Sequence, residues 1–178
     1  MKPIKTLLVG IVCALGLAGL IFGAAVATQT VTMQIGAISV LGIAGGSVTL
    51  AVAAPAQGGA SPANPTSTAT YAQYTSTVPS ATTRRLQANW GVADAAPAGC
   101  SLQLTVTPAA LPNQGTTAGQ ITMTSTATNI VTGIGSCATG ITATSGAQLA
   151  YVLSIDSLTS LVAADNHTVT ITITLTDN

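Results

Sequence analysis

His167-Thr168-Val169-Thr170-Ile171-Thr172-Ile173-Thr174-Leu175-Thr176-Asp177 is the stretch that decides how the chain is read. Threonine alternates with branched aliphatic residues, which is the period of a strand with one buried face. Val169, Ile171, Ile173 and Leu175 point to a core, and a slip of one residue would turn all four into water. Shorter runs of the same kind lie at 30–35, 47–52, 70–77, 82–90, 101–107, 120–126 and 148–155, which predicts about eight strands. Gly45-Gly46, the proline-rich stretch 54–65, Pro97-Ala98-Gly99 and the segment 108–119 supply the turns between them. A short helical crossover is expected over 157–164, where Leu158, Leu161 and Val162 have helical spacing and Asp156 is placed to cap. The expected fold class is all-β: an antiparallel β-sandwich, Ig-like with Greek-key links, with a barrel as the alternative.

The chain has 178 residues, 48% hydrophobic but only 4% charged, where a soluble protein averages about 25% charged. So few cations exclude nucleic-acid binding, which needs clustered Lys and Arg to neutralise phosphates. Enzyme chemistry is starved as well, with one His and no Glu in the whole chain. His167 has no second ligand at metal spacing, and no Ser-His-Asp set assembles around it. Asp156, Asp165 and Asn166 could approach a calcium ion, but they lack EF-hand spacing and read as caps and turns. No catalytic, cofactor or metal residue is therefore expected. Arg84 and Arg85 are adjacent in a strand and face opposite sides of its sheet, with Asp94 or Asp156 as candidate partners for the inward one. Trp90, Tyr71, Tyr74 and Tyr151 do not cluster in one loop and read as packing residues.

Residues 1–27 have the form of a secretory signal peptide: Lys2 and Lys5, an apolar run from Leu7 to Phe22, and Ala25-Val26-Ala27 as a cleavage site. The run is shorter than the roughly 20 residues of a membrane span, so no span is expected in the mature protein. Export places the chain outside the cell and leaves two arginines against four aspartates, a net charge of −2, with no lysine. Cys100 and Cys137 then read as one disulfide, closing a loop of about 38 residues and worth roughly 4 kcal/mol.

The segment after the cleavage site is organised differently from the remainder of the chain. Residues 28–46 begin as a clean alternation of Val31, Met33 and Ile35, change phase at Gly36-Ala37, and resume with Ile38 and Val40. This is read as an extended strand in front of a β-sandwich domain over 47–178. A leading strand can pair with its own sheet or complete a neighbour's, main-chain hydrogen bonds supplying affinity and alternate side chains filling pockets. Lysine is a common guard of exposed sheet edges, and the mature chain has none.

The signal segment followed at once by a strand, Tyr74-Thr75-Ser76-Thr77, Thr83-Arg84-Arg85, the turn Thr132-Gly133-Ile134-Gly135-Ser136 and the closing Thr172-Ile173-Thr174-Leu175-Thr176-Asp177 resemble small secreted bacterial Ig-like β-sandwich proteins. In architecture these are similar to strand-exchanging fimbrial subunits, although chaperone–usher pilins carry their disulfide earlier in the chain. The resemblance implies a homopolymer: a pilus-like extracellular filament subunit whose donor strand carries Val31, Met33, Ile35, Ile38 and Val40. The alternatives are a monomeric ice- or carbohydrate-binding module, suggested by the Thr rows at 122–128 and 168–176, and an S-layer or adhesin component.

Overall fold

In the computed structural model, residues 27–163 and 165–178 are described; the signal-peptide reading of 1–26 and the end of the expected crossover at Ala164 fall outside them. The chain divides into two compact units, Met1–Gln34 and Ile35–Asn178. Of the first, residues 27–34 are exposed and form no strand.

The second unit is all-β. Its strands are β1 (Ile38–Ala44), β2 (Thr66–Thr77), β3 (Arg84–Trp90), β4 (Cys100–Thr107), β5 (Gln114–Thr117), β6 (Gln120–Thr122), β7 (Thr128–Ile134), β8 (Cys137–Ala138), β9 (Ala147–Ile155) and β10 (Ile171–Asp177). That makes ten strands among the described residues where the alternation predicts about eight. The crossover contracts to a single 3₁₀ turn, Leu158–Ser160, with Ser157 at its N-terminus and no side-chain cap from it. No α-helix occurs among the described residues.

Two antiparallel sheets enclose one core. The first has the order β1-β2-β9-β4-β6, with β8 also on β2, and the second the order β10-β3-β7-β5. Alternation explains which side chains meet: Leu102, Leu104 and Val106 of β4, Leu149 and Tyr151 of β9 and Leu86 and Ala88 of β3 share one buried core. In β7 the neighbours Ile130 and Val131 are both buried, because register shifts against β3 place extra residues in β7. Val48 and Leu50 pack against the core from a segment that is not a strand. Where β9 begins, the chain passes so close to β2 that a Cβ on Gly146 would lie 2.2 Å from the Ala72 carbonyl, at φ +104°.

Candidate functional site

β1 is the element on which the sequence reading turns. It pairs antiparallel with β2, Ile38 opposite Thr77, Leu41 opposite Tyr74 and Ala44 opposite Tyr71. Tyr74 is buried, so Leu41 shares its inward face and packs on the core, while Ile38 and Val40 lie on the outer face of the sheet, 43% and 59% exposed. The apolar residues predicted to act as one row are thus distributed over two faces. Val31, Met33 and Ile35 are 67%, 87% and 90% exposed. In sequence parity they match Leu41 and Ile43, not Ile38 and Val40.

Ile38 stands opposite the last residue of β2. The Thr77 hydroxyl closes that end, accepting the Ile38 N–H at 2.7 Å and donating to the Gly36 carbonyl at 2.8 Å. Beyond it Pro79 begins a turn closed by the Thr82 N–H, so β2 offers no residue opposite positions before Ile38.

A buried arginine secures the same corner. Arg84, 7% exposed, donates from Nε to Asp177 Oδ1 at 2.7 Å and from its terminal nitrogen to the Ile38 carbonyl, joining β1 to β3 and β10. The inward arginine's partner is therefore neither Asp94 nor Asp156. β10 lies antiparallel on β3 and brings Asp177 opposite Arg84. Asp94 instead accepts the backbone N–H groups of Gly91 and Thr170.

The two sides of the sandwich end differently. At one rim β5 and β6 are four and three residues long, and the two-residue link between them carries the chain from one sheet to the other. Gly115 bends β5 at φ +85°, where a Cβ would meet the Thr132 carbonyl at 2.7 Å. The buried Gln114 beside it donates to the Ala138 carbonyl at 3.4 Å and receives the Tyr74 hydroxyl on its own carbonyl at 2.5 Å. Burial, reinforced by Cys137, holds the Tyr74 phenol well above its ordinary pKa. At the other rim β10 runs for seven residues without a register shift, is the last strand of its sheet, and has Ile171, Ile173 and Leu175 only partly buried.

The predicted disulfide is a correction. Cys100 and Cys137 are both free thiols. Cys100 lies opposite Ile155 at one end of the first sheet and Cys137 opposite Ser76 at the other. With Thr66 opposite Val152 fixing the register between, the two are on the order of 40 Å apart by strand rise, against the roughly 7 Å that a disulfide spans. Burial raises both thiol pKa values, and the charges of Asp156 and Asp165 raise that of Cys100 further.

His167 is engaged on both ring nitrogens, with Nδ1 3.0 Å from the Ala95 carbonyl and Nε2 2.8 Å from Asp165 Oδ1. The residue thereby ties two loops together. No group of three His, Cys, Asp or Glu side chains that could hold a metal occurs among the described residues, and no helix there is long and apolar enough to cross a membrane. No protein-family model, curated protein or solved structure matches the chain. Sequence reasoning missed Leu41, Thr77 and the Arg84 bridge to Ile38; the shared odd-numbered parity was the legible signal for the first.

Proposed function

We propose that this chain is a non-enzymatic structural subunit of an extracellular filament, exported by its N-terminal segment, cleaved after Ala27, and polymerised by β-augmentation between copies. The observation that carries the reading is the exposed row Val31, Met33 and Ile35, in phase with the inward face of β1 but upstream of the point where β2 ends. Fully burying each such side chain contributes about 1.5–3 kcal/mol, enough for three together with strand hydrogen bonds to offset much of the cost of association. Repeated head-to-tail pairing does not close on itself and so extends into a fibre. Low charge favours the same outcome, because copies of net charge −2 scarcely repel. The subunit is taken as an Ig-like sandwich with Greek-key links, whose leading segment donates residues 28–35 while β1 stays on its own β2.

Negative-stain electron microscopy of protein purified from the cell surface tests the reading, beside a variant lacking residues 28–35. This deletion spares β1 and so leaves β2 covered. Filaments in the first and folded monomers in the second are expected. Monodisperse particles in both would overturn the reading and favour a monomeric binding module.

A further inference from the structure

We propose that the acceptor for the donor strand is the free edge of β10 in a second copy, which takes residues 29–35 antiparallel so that Ile35 lies opposite Ile171 and Gln29 opposite Asp177. This inference rests on the filament reading above and names the surface it uses.

Three observations select β10. First, it is the long, regular edge: seven residues, no register shift, no proline and no lysine, whereas β5 and β6 are short and β5 is bent at Gly115. Edges of the first kind recruit strands and those of the second resist them. Second, Ile171, Ile173 and Leu175 pack on the core yet stay partly exposed, so another apolar row is needed to complete their cover. Third, the two segments match residue for residue. In the antiparallel register Ile35, Met33 and Val31 fall opposite Ile171, Ile173 and Leu175 on the inner face, while Gln34, Thr32 and Thr30 fall opposite Thr172, Thr174 and Thr176 on the outer face. A slip of one residue sets every apolar side chain against a threonine. Cross-strand aliphatic pairs on one face and Thr–Thr pairs on the other are both stabilising. The edge of β1 fits less well, because Ser39 interrupts its inward row and the Ile38 carbonyl is already bound by Arg84.

Cross-linking between copies tests the register. Full chains carrying I35C and I171C separately, both in a C100S/C137S background, are mixed, allowed to assemble and oxidised with glutathione disulfide. The expected result is a disulfide-linked dimer in the mixture and none with either variant alone. I35C with L175C distinguishes a parallel strand and is expected to give no dimer. M33C with I173C sits at the centre of the register, cross-links in either polarity, and so reads the edge independently. Filaments that form without the I35C–I171C dimer, or with the I35C–L175C dimer in its place, would overturn this assignment and leave the filament reading standing. Absence of filaments from the unaltered protein would overturn both.

Discussion

The β5/β6 rim and the β1/β10 rim bound the same core, yet one is sealed by the chain and the other by a single side chain. At the first, two short strands are joined by residues 118–119 across the sheets, and the buried Gln114 ties the start of β5 to the Ala138 carbonyl. At the second, strands of seven residues each end their sheets side by side, and Arg84 spans them through Asp177 and the Ile38 carbonyl. Connectivity is the cause of the difference. β5 and β6 are consecutive in sequence and can turn the corner, whereas β1 and β10 come from opposite ends of the chain and must be brought together by contacts. An edge left in that state is one that another chain can use.

The largest effect is expected where one side chain links the two rims: Tyr74, opposite Leu41 of β1, reaches the Gln114 carbonyl of β5. Tyr74→Ala removes a buried ring and the hydroxyl that satisfies the Gln114 carbonyl, and is expected to cost about 3–5 kcal/mol in urea denaturation. Ile38→Ala on the open rim, already 43% exposed, is expected to cost less than about 1 kcal/mol. Equal losses would show that the β1 edge carries as much of the fold as this interior link.

Alkaline pH probes the body that both rims share. Burial pushes the Tyr151 phenol in β9 up to about 12, above its ordinary value of 10. A folded-state value above the unfolded one means that the stabilisation is complete below pH 10 and is lost as pH rises through 12. Tyr151 alone makes the unfolding free energy fall by about 1.4 kcal/mol per pH unit across that window. Thermal melts from pH 9 to 12 should show the decline, and Tyr151→Phe should remove about one proton's worth of its slope. An unchanged slope would show that Tyr151 ionises as readily folded as unfolded.

The legible part of the fold is the part where alternation is clean. β2, β3, β4, β9 and β10 overlap the predicted runs because each keeps one inward face by strict alternation over at least seven residues. β7 was missed because its bulges bury Ile130 and Val131 side by side, which breaks the period-2 signature. β5 and β8 are too short to carry a period, and only pairing with β7 and β2 makes them strands. The run at 47–52 reads as a strand yet forms none, its Val48 and Leu50 packing without a ladder. The cysteines show the sharper limit: an even count in an exported chain suggests a bridge, but only strand register reveals that they lie at opposite ends of a sheet. In the candidate site the apolar alternation at 31–35 is legible and the edge proposed to receive it is not, because an edge is a property of strand order.

Arg84→Met sharpens the comparison from the open side. The change keeps the stem that packs inward but removes the hydrogen bonds to Asp177 and to the Ile38 carbonyl, at an expected cost of about 1–2 kcal/mol. Asp177 is largely exposed, so its ion pair is screened and most of the loss comes from the carbonyl contact. Hydrogen exchange should quicken at the backbone amides of residues 38–41 and stay unchanged at 114–117. Acceleration at both places would mean that the two rims open together.

The smallest expected effect on the folded monomer separates stability from assembly. Thr174 points outward from the middle of β10, and a lysine there stays solvated, so Thr174→Lys should change unfolding free energy by no more than about 0.5 kcal/mol. The same lysine supplies the edge guard that the strand lacks, in the position where the proposed register sets Thr174 against Thr32 of the next copy. Sedimentation velocity should therefore show the concentration needed for assembly rising several-fold while the monomer melts as before. Thr122→Lys, exposed on β6 at the sealed rim, places an equal charge on the opposite side of the sandwich and should leave both quantities unchanged. If the two lysines weaken assembly alike, the effect is one of net charge and the open rim has no special part in it. If only the β10 lysine does so, the asymmetry between the rims sets how copies of the chain meet.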